Sequence, residues 1–392
     1  MEQWQKEDSK ICLHSHEDIE ENIGAVAPPI FQTSLFSFKN WDKFLEGITS
    51  EREHYVYTRG VNPTVKILED KLAQLERGEK CKCFASGIAA ISATIFTLVK
   101  KGDHILFVNN IYGPAVSYAD VLEKFDVEYT NIFIDDASEI ENHIKSNTRL
   151  IYLESPSTMN FDVIDLRKAA DIAKSRNILT AIDNTWATPL YQKPIIHGID
   201  IVLHSCTKFI AGHSDTLGGA VISSYDIVDE IFKVGHQFGG AVLGPIDAWL
   251  TLRGLRTLRQ RLGYQKTSVE KIVGMLKDNP KINKINHPLL LEGDKKKIYE
   301  KQTCGYTSLL SIDMDFKDYD ELRDFMNSFK VFKLGVSWGG FESLITSANY
   351  NKNSEDLEER HISNNLIRIY IGLEDTEILM EDLENAFKTL SK

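Results

Sequence analysis

Residues 149–184 read RLIYLESPSTMNFDVIDLRKAADIAKSRNILTAIDN, and this stretch decides the fold. It opens and closes with the short apolar runs RLIYLES and ILTAIDN, which are typical of buried strands. The segment between them, VIDLRKAADIAKSR, is predicted to be a helix. A strand, a helix and a second strand in succession form a β-α-β unit, and such units build a largely parallel sheet.

The same alternation continues on both sides of this unit. Apolar residues at helical spacing predict helices over residues 64–77, closed by Gly78, and over residues 86–101. Further strands are predicted for HILFV, IDIVLHS and GGAVISS. The predicted fold class is therefore α/β, with a mostly parallel sheet flanked by helices.

Changes in composition predict three regions. Residues 1–60 mix Pro, aromatic and polar residues without a sustained period, which is typical of an extended arm that reaches a neighbouring subunit. Residues 61–255 are predicted to form a large ligand-binding domain. Residues 256–392 have longer polar helices and a few strands, such as YTSLLSIDM and LIRIYIGLE, and are predicted to form a smaller C-terminal α/β domain.

Composition and charge exclude several classes of protein. The 392 residues carry a net charge of −12, which argues against nonspecific binding to nucleic acids or anionic membranes. No apolar run approaches the roughly 18 residues of a membrane span, and the first ten residues are polar, so we expect a cytoplasmic protein. The five cysteines are scattered, and the Cys81 and Cys83 pair lacks a second pair at zinc-site spacing, so no metal site is expected.

Three predicted strands are followed by chemically unusual residues. Ligands bind beyond the carboxyl ends of parallel strands, so these positions are candidate site residues. Asp183 follows ILTAI, Lys208 lies shortly after IDIVL, and Ser86 follows CKCF and opens a helix. Each has an ordinary structural alternative: Asp183 as a turn former, Lys208 as a side chain that extends to solvent, and Ser86 as a helix N-cap.

Taken together, the three strand ends predict one cofactor. A helix N-terminus with free N–H groups binds phosphate, and hydroxyls from a neighbouring strand end add donors. The predicted phosphate donors are Ser86, Gly87, Ile88, Ser205 and Thr207. A lysine beside such a site can form a Schiff base with a phosphorylated aldehyde, and a buried carboxylate can keep a ring nitrogen protonated. Pyridoxal phosphate requires all three features.

Motifs along nearly the whole chain also resemble a known family. They are APPIFQTS, YTRGVNPT, ASGIAAI, DNTWATP, HSCTKFIAGHSD, SWGGFESL and LIRIYIGLED. In this order they resemble the pyridoxal-phosphate-dependent enzymes of cysteine and methionine metabolism, which include cystathionine β-lyases, cystathionine γ-lyases, cystathionine γ-synthases and methionine γ-lyases. The resemblance implies the fold of the fold-type I pyridoxal-phosphate-dependent transferases and a homotetramer made of two dimers.

The resemblance assigns cofactor roles position by position. Lys208 would hold the cofactor covalently, and Asp183 would pair with the ring nitrogen. Tyr112, in NNIYGP, would stack on the ring and assist proton transfer. Tyr57 and Arg59 would reach the phosphate in the neighbouring subunit, which would account for the extended arm. An ordinary interface role remains open for both tyrosines.

The resemblance also assigns a substrate-binding group. Arg368 would bind the α-carboxylate of a substrate amino acid in a bidentate manner, although a structural pairing with Glu374 remains open. Ser337 and Trp338, in SWGG, would line the substrate side.

Local departures favour one reaction within the family. Trp338 stands where γ-type members carry leucine, and Thr158 stands where they carry asparagine, which would otherwise bind the ring hydroxyl of the cofactor. Tyr112 followed by Pro114 also resembles the β-lyase pattern. The implied reaction is β-elimination of L-cystathionine to homocysteine, pyruvate and ammonia. The alternatives are a cystathionine or methionine γ-lyase, a γ-synthase or O-acylhomoserine sulfhydrylase, and a catalytically idle protein that binds the cofactor.

Overall fold

The computed structural model describes residues 2–17, 20 and 22–390. The helices are α1 (Glu2–Leu13), α2 (Trp41–Thr49), α3 (Pro63–Glu76), α4 (Gly87–Leu98), α5 (Gly113–Glu123), α6 (Ile140–His143), α7 (Leu166–Ser175), α8 (Thr188–Tyr191), α9 (Tyr225–Ile231), α10 (Gln237–Gly239), α11 (Pro245–Lys277), α12 (Gly293–Gln302), α13 (Tyr319–Ser328), α14 (Ser354–Glu359) and α15 (Thr376–Phe387). The strands are β1 (Lys80–Phe84), β2 (His104–Val108), β3 (Glu128–Ile132), β4 (Thr148–Glu154), β5 (Leu179–Asp183), β6 (Ile201–Ser205), β7 (Gly219–Ser223), β8 (Ile282–Asn286), β9 (Leu309–Met314), β10 (Lys333–Leu334), β11 (Leu344–Ser347) and β12 (Leu366–Tyr370).

A seven-stranded, mostly parallel sheet forms the centre of the molecule. Its order is β1-β7-β6-β5-β4-β2-β3, and only β7 runs against its neighbours. The α/β prediction is therefore confirmed, with β4, α7 and β5 as its β-α-β unit. Helix α7 begins at Leu166, three residues later than predicted, because the side chain of Asp165 caps the helix by accepting a hydrogen bond from Lys168 N–H at 3.0 Å.

A second sheet of five strands lies in the C-terminal part of the chain, in the order β10-β11-β12-β9-β8. The 33-residue helix α11 joins the two halves. Its first part, including Leu255, packs in the core of the large sheet, and its last part, including Ile272, packs in the core of the smaller sheet. The predicted boundary between residues 255 and 256 falls inside this helix, and we propose that the two domains divide within it. No helix in the described ranges has both the length and the apolar character needed to cross a bilayer.

The N-terminal region differs from the extended arm predicted over residues 1–60, because α1 and α2 are helices. Helix α1 folds back onto α3 of its own chain. The buried ammonium of Lys71 donates hydrogen bonds to the carbonyls of Ile11 and Cys12 at 3.0 and 3.2 Å, and Arg77 pairs with Asp8 at 2.8 Å. The reach of this region to a neighbouring subunit stays a prediction.

Candidate active site

The carboxyl ends of β4, β5 and β6 and the start of α4 surround a cavity of about 330 Å³. Every predicted site residue lines this cavity except Tyr57 and Arg59. The predicted residues brought together there are Ser86, Gly87, Ile88, Tyr112, Asp183, Ser205, Thr207, Lys208, Ser337, Trp338 and Arg368. Residues more than 280 positions apart in sequence thus meet at one edge of the large sheet.

The start of α4 leaves backbone donors available to a ligand. Ser86 caps the helix, since its hydroxyl accepts a hydrogen bond from Ala89 N–H at 3.2 Å. Within the described residues, the N–H groups of Gly87 and Ile88 have no hydrogen-bond partner. A side chain at position 87 would strike Ser205, because its Cβ would lie 2.8 Å from the Cβ of Ser205. The glycine therefore permits the close approach that brings the helix start and the end of β6 together.

The residues after β5 and β6 are fixed by one another. The backbone N–H of Ser205 donates to the hydroxyl of Thr185 at 2.7 Å. The hydroxyl of Thr207 accepts from Gly218 N–H at 3.1 Å and lies 3.3 Å from the carbonyl of Gly218. These contacts fix the backbone of Ser205 and the hydroxyl of Thr207, and both residues line the cavity together with the start of α4, as a phosphate site requires.

Asp183 is both a turn residue and a cavity residue. Its carboxylate accepts a hydrogen bond from Thr185 N–H at 2.9 Å, which fits the turn-former alternative, but the same side chain also lines the cavity. Burial raises the pKa of Asp183, whereas hydrogen bonds from Thr185 and the nearby His204 and Lys208 act in the opposite direction. A cationic ring nitrogen beside this carboxylate would favour its ionised form.

Lys208 points into the cavity and not to solvent. Its Nζ lies 2.7 Å from the hydroxyl oxygen of Ser337 and 5.4 Å from the ring centroid of Trp338. Burial and, less strongly, the charge of Arg368 lower its pKa to about 8, against the opposing effect of Asp183. About a tenth of this amine is therefore unprotonated and nucleophilic at pH 7, against less than about a thousandth at the ordinary pKa of 10.5.

Gly339, in the C-terminal part of the chain, lies close against the backbone of Lys208. Its φ is +90°, a conformation that favours glycine, and a Cβ there would come within 2.7 Å of the Lys208 carbonyl carbon. The sequence analysis did not select this residue, although the Gly-Gly pair in SWGG was a signal for an unusual backbone conformation.

Arg368 keeps its charge available for a carboxylate. Its Nη2 donates to the carbonyls of Val336 and Ser337 at 2.6 and 3.3 Å, and it has no ion-pair partner in the described part of the chain. Glu374 instead accepts hydrogen bonds from Ser343, so the structural pairing considered from the sequence is absent between these two residues. Burial lowers the pKa of Arg368 to about 10, so the guanidinium remains cationic near neutral pH.

Glu154 and Thr158 are cavity residues that were not among the predicted site residues. Glu154 is the last residue of β4 and lies in register with Asp183 on β5. The backbone N–H of Tyr112 donates to its Oε2 at 2.9 Å. The strand-end rule, applied to RLIYLES as well as to the other strands, would have identified Glu154.

Tyr57 and Arg59 lie apart from the cavity of their own chain. The guanidinium of Arg59 stands 5.5 Å from the ring centroid of Tyr57, and its Nε donates to Gln237 at 3.0 Å. Their assignment to the phosphate of a neighbouring subunit stays a prediction.

The family of the chain follows from its sequence match. The sequence profile of the Cys/Met metabolism PLP-dependent enzymes matches residues 9–388. The chain belongs to this family. An L-methionine γ-lyase from Fusobacterium nucleatum subsp. polymorphum is 35% identical over 376 residues, which cover 94% of each chain. A cystathionine β-lyase from Bacillus subtilis (strain 168) is 33% identical over 385 residues, covering 97% of this chain and 96% of the relative.

Solved structures support the same conclusion for the fold and the cofactor. The structure of MetY from Campylobacter jejuni subsp. jejuni has a TM-score of 0.89 and 28% identity, and the match covers 97% of this chain and 99% of that one. MetB from Corynebacterium glutamicum has a TM-score of 0.90 and 30% identity, with 98% of each chain covered. The MetY structure contains a pyridoxyl-lysine monophosphate residue. The predicted family, fold class and cofactor are thus confirmed: the protein is a pyridoxal-phosphate-dependent enzyme with the fold of MetB and MetY.

The residues of the cavity fit pyridoxal phosphate. The unpartnered N–H groups of α4 and the hydroxyl of Ser205 suit the phosphate, the carboxylate of Asp183 suits the ring nitrogen, and the amine of Lys208 suits the aldehyde. When bound, the cofactor supplies an electron sink for bonds broken at the substrate Cα.

Proposed function

We propose that this enzyme is a carbon–sulfur lyase that cleaves L-cystathionine by β-elimination and releases homocysteine, pyruvate and ammonia. The observation that supports this reaction best is the confinement of Lys208. Its Nζ is held 2.7 Å from the Ser337 oxygen and lies beside the Trp338 ring. β-Elimination requires the amine to remove one proton, at Cα, whereas γ-elimination also requires proton removal at Cβ. Because the contacts with Ser337 and Trp338 restrict the reach of the Lys208 amine, we expect it to serve the single proton removal of β-elimination better than the two removals of γ-elimination.

The proposed roles follow from the charges and contacts in the cavity. Arg368 binds the substrate α-carboxylate and fixes the position of Cα. Lys208, with its pKa lowered to about 8, removes the Cα proton. Asp183 would pair with the protonated ring nitrogen of the cofactor and keep it protonated. Tyr112, whose pKa is raised by burial and by the nearby Asp183 and Glu154, keeps its phenol proton near the Cβ leaving group.

Product analysis tests the proposed reaction directly. Purified enzyme loaded with pyridoxal phosphate is mixed with L-cystathionine, and the keto acid and thiol are identified by mass spectrometry. The proposal predicts one pyruvate, one ammonia and one homocysteine for each cystathionine and water consumed. Formation of 2-oxobutyrate and cysteine as the main products would contradict it.

A second candidate is γ-elimination, which is favoured by the 35% identity to an L-methionine γ-lyase. The same assay with L-methionine distinguishes the two, because γ-elimination releases 2-oxobutyrate and methanethiol. Turnover of either substrate would exclude a catalytically idle protein.

We also propose that the active unit is a dimer within a homotetramer, in which Tyr57 and Arg59 complete the phosphate site of the neighbouring subunit. Their distance from their own cavity and the exposed aromatic residues of this region, such as Trp41 at 67% exposure, support this assembly. Mixing subunits tests this assembly. Lys208→Ala and Arg59→Ala subunits are each expected to be inactive alone. When they are co-refolded, the mixed dimer would regain one complete site, with Lys208 from one subunit and Arg59 from the other. Absence of restoration in a verified mixed dimer would contradict the shared site.

A further inference from the structure

Two acidic side chains end neighbouring strands of the large sheet. Glu154 is the last residue of β4, and Asp183 is the last residue of β5. The strands are parallel, and these two residues are register partners, so their side chains project from the same face of the sheet. Both line the cavity that contains Lys208. Two adjacent, partly buried carboxyl groups resist simultaneous ionisation, because each negative charge disfavours the other.

The surroundings of the two carboxyl groups differ. Asp183 accepts a hydrogen bond from Thr185 and lies near the basic side chains His204 and Lys208. Glu154 accepts from the Tyr112 N–H, is a hydrogen-bond partner of Thr158 and has only the more distant Arg360 as a cation.

Burial and the charge of Asp183 together hold the pKa of Glu154 well above its usual range. The titratable or charged groups that face Glu154 are Asp183, Arg360, Tyr112 and Tyr152. Among the charges of these groups only that of Arg360 favours ionisation of Glu154, and the hydrogen bonds from Tyr112 N–H and Thr158 act in the same direction but more weakly than burial and Asp183. Of the two carboxyl groups, Glu154 is therefore the one whose surroundings favour the protonated form, and Asp183, with His204 and Lys208 nearby, is the one whose surroundings favour the negative charge.

The strand order places Glu154 on a definite side of Asp183. Of the predicted phosphate donors, Ser205 ends β6 and Thr207 follows it. Asp183 ends β5 and Glu154 ends β4, and these strands lie in the spatial order β6-β5-β4. In pyridoxal phosphate, the ring nitrogen lies between the edge that carries the phosphate arm and the edge that carries the methyl group and the ring hydroxyl oxygen. With the phosphate at β6 and the nitrogen at Asp183, the second edge faces β4.

We propose that Glu154 binds this second edge of pyridoxal phosphate as a neutral carboxylic acid that donates a hydrogen bond to the ring hydroxyl oxygen. Tyr112 N–H donates to Oε2, so the proton that Glu154 donates to the cofactor is assigned to Oε1. The proton stays on Glu154 throughout, so the group tunes the cofactor and does not act as a catalytic acid. Thr158 lies in the same part of the cavity, and its single hydroxyl proton is donated to Glu154, so the donor to the ring oxygen is Glu154 and not Thr158.

The visible absorption of the bound cofactor reports this hydrogen bond without any substrate. The absorption of the bound cofactor changes with pH as the cofactor loses a proton. A hydrogen-bond donor to the ring oxygen withdraws negative charge from the conjugated system, so loss of the donor raises the midpoint pH of this change. Glu154→Gln keeps a neutral donor of the same shape and is expected to leave this midpoint within about 0.3 pH units of the wild type. Glu154→Leu removes the donor and is expected to raise the midpoint by on the order of one pH unit.

The control variant is Asp162→Asn. Asp162 is a partly buried acid after the same strand, it pairs with Ser157, and it does not line the cavity. Its midpoint is expected to equal that of the wild type. A fall of one unit or more in Glu154→Gln would show that position 154 carries a negative charge, because its removal would then destabilise the protonated cofactor. An unchanged midpoint in Glu154→Leu would show that Glu154 does not touch the ring oxygen. Either result overturns the proposal.

Infrared difference spectroscopy gives a second readout that needs no leucine variant. The wild-type holoenzyme is expected to show the carbonyl stretch of a neutral carboxylic acid at neutral pH, and this band is expected to be absent in Glu154→Gln. If the two spectra do not differ in this band, the proposal is overturned. The inference rests on the cofactor of the family and not on the proposed β-elimination, so the product assay and these spectra can fail independently.

Discussion

Removing the charge of Arg368 is expected to make Lys208 more basic. Arg368 is the second cause, after burial, of the lowered pKa of about 8 for this amine. Replacement by glutamine removes that cation, and a nearby charge typically changes a pKa by on the order of one unit. At pH 7.5 the unprotonated fraction of Lys208 would fall from about one quarter to about 3%, so capture of pyridoxal phosphate by the apoenzyme would slow about eightfold.

Stopped-flow absorbance of cofactor capture between pH 6.5 and 10 measures this effect. The wild-type rate is expected to rise with pH through a midpoint near 8, and the Arg368→Gln midpoint to lie higher. Arg253→Gln, an exposed position on α11, is the matched control and is expected to behave as the wild type. A wild-type midpoint near the ordinary value of 10.5, or equal midpoints for Arg368→Gln and the wild type, would refute the assigned electrostatics.

Two further substitutions test the support of the site. Gly339→Ala is expected to lower the free energy of unfolding by about 3 kcal/mol and to reduce cofactor occupancy, because the φ of Gly339 is +90° and a Cβ there would strike the Lys208 backbone. The control is Gly274→Ala, in open space on α11, which is expected to be neutral or stabilising in the same urea titration. Equal stability of the two variants would contradict that reasoning. Glu76→Ala is expected to lower the free energy of unfolding by about 3 kcal/mol, since the buried carboxylate of Glu76 lies 2.6 Å from His204 Nε2. A loss below about 1 kcal/mol in urea denaturation would argue against a stabilising interaction between Glu76 and His204.

The β-α-β pattern and the strand ends could be predicted from the sequence because both depend on local features. Apolar runs bounded by turn residues mark strands, and Asp183 and Lys208 stand just after such runs. The boundaries were less accurate. The helix predicted over residues 64–77 ends at Glu76, since Arg77 and not Gly78 adopts the left-handed conformation, with φ of +64°.

Helix α1 could not be predicted because distant residues stabilise it. Its Trp4 ring lies 4.6 Å from the guanidinium of Arg77, and its Asp8 pairs with Lys193 at 2.9 Å. Neither partner is visible in the periodicity of the first ten residues. The strand-end rule could have selected Glu154, but its environment beside Asp183 arises from the register of β4 against β5, which sequence alone does not show.

Covalent capture of the cofactor by Lys208 is the central claim, and hydride reduction tests it most directly. The purified holoenzyme is treated with borohydride, digested and mapped by mass spectrometry, with Lys208→Ala treated in parallel. We predict a single phosphopyridoxyl adduct on Lys208, loss of visible absorption on reduction, and no adduct in the variant. A reduced adduct on another lysine, or a protein that stays colourless with added pyridoxal phosphate and carries no adduct, would contradict the assignment.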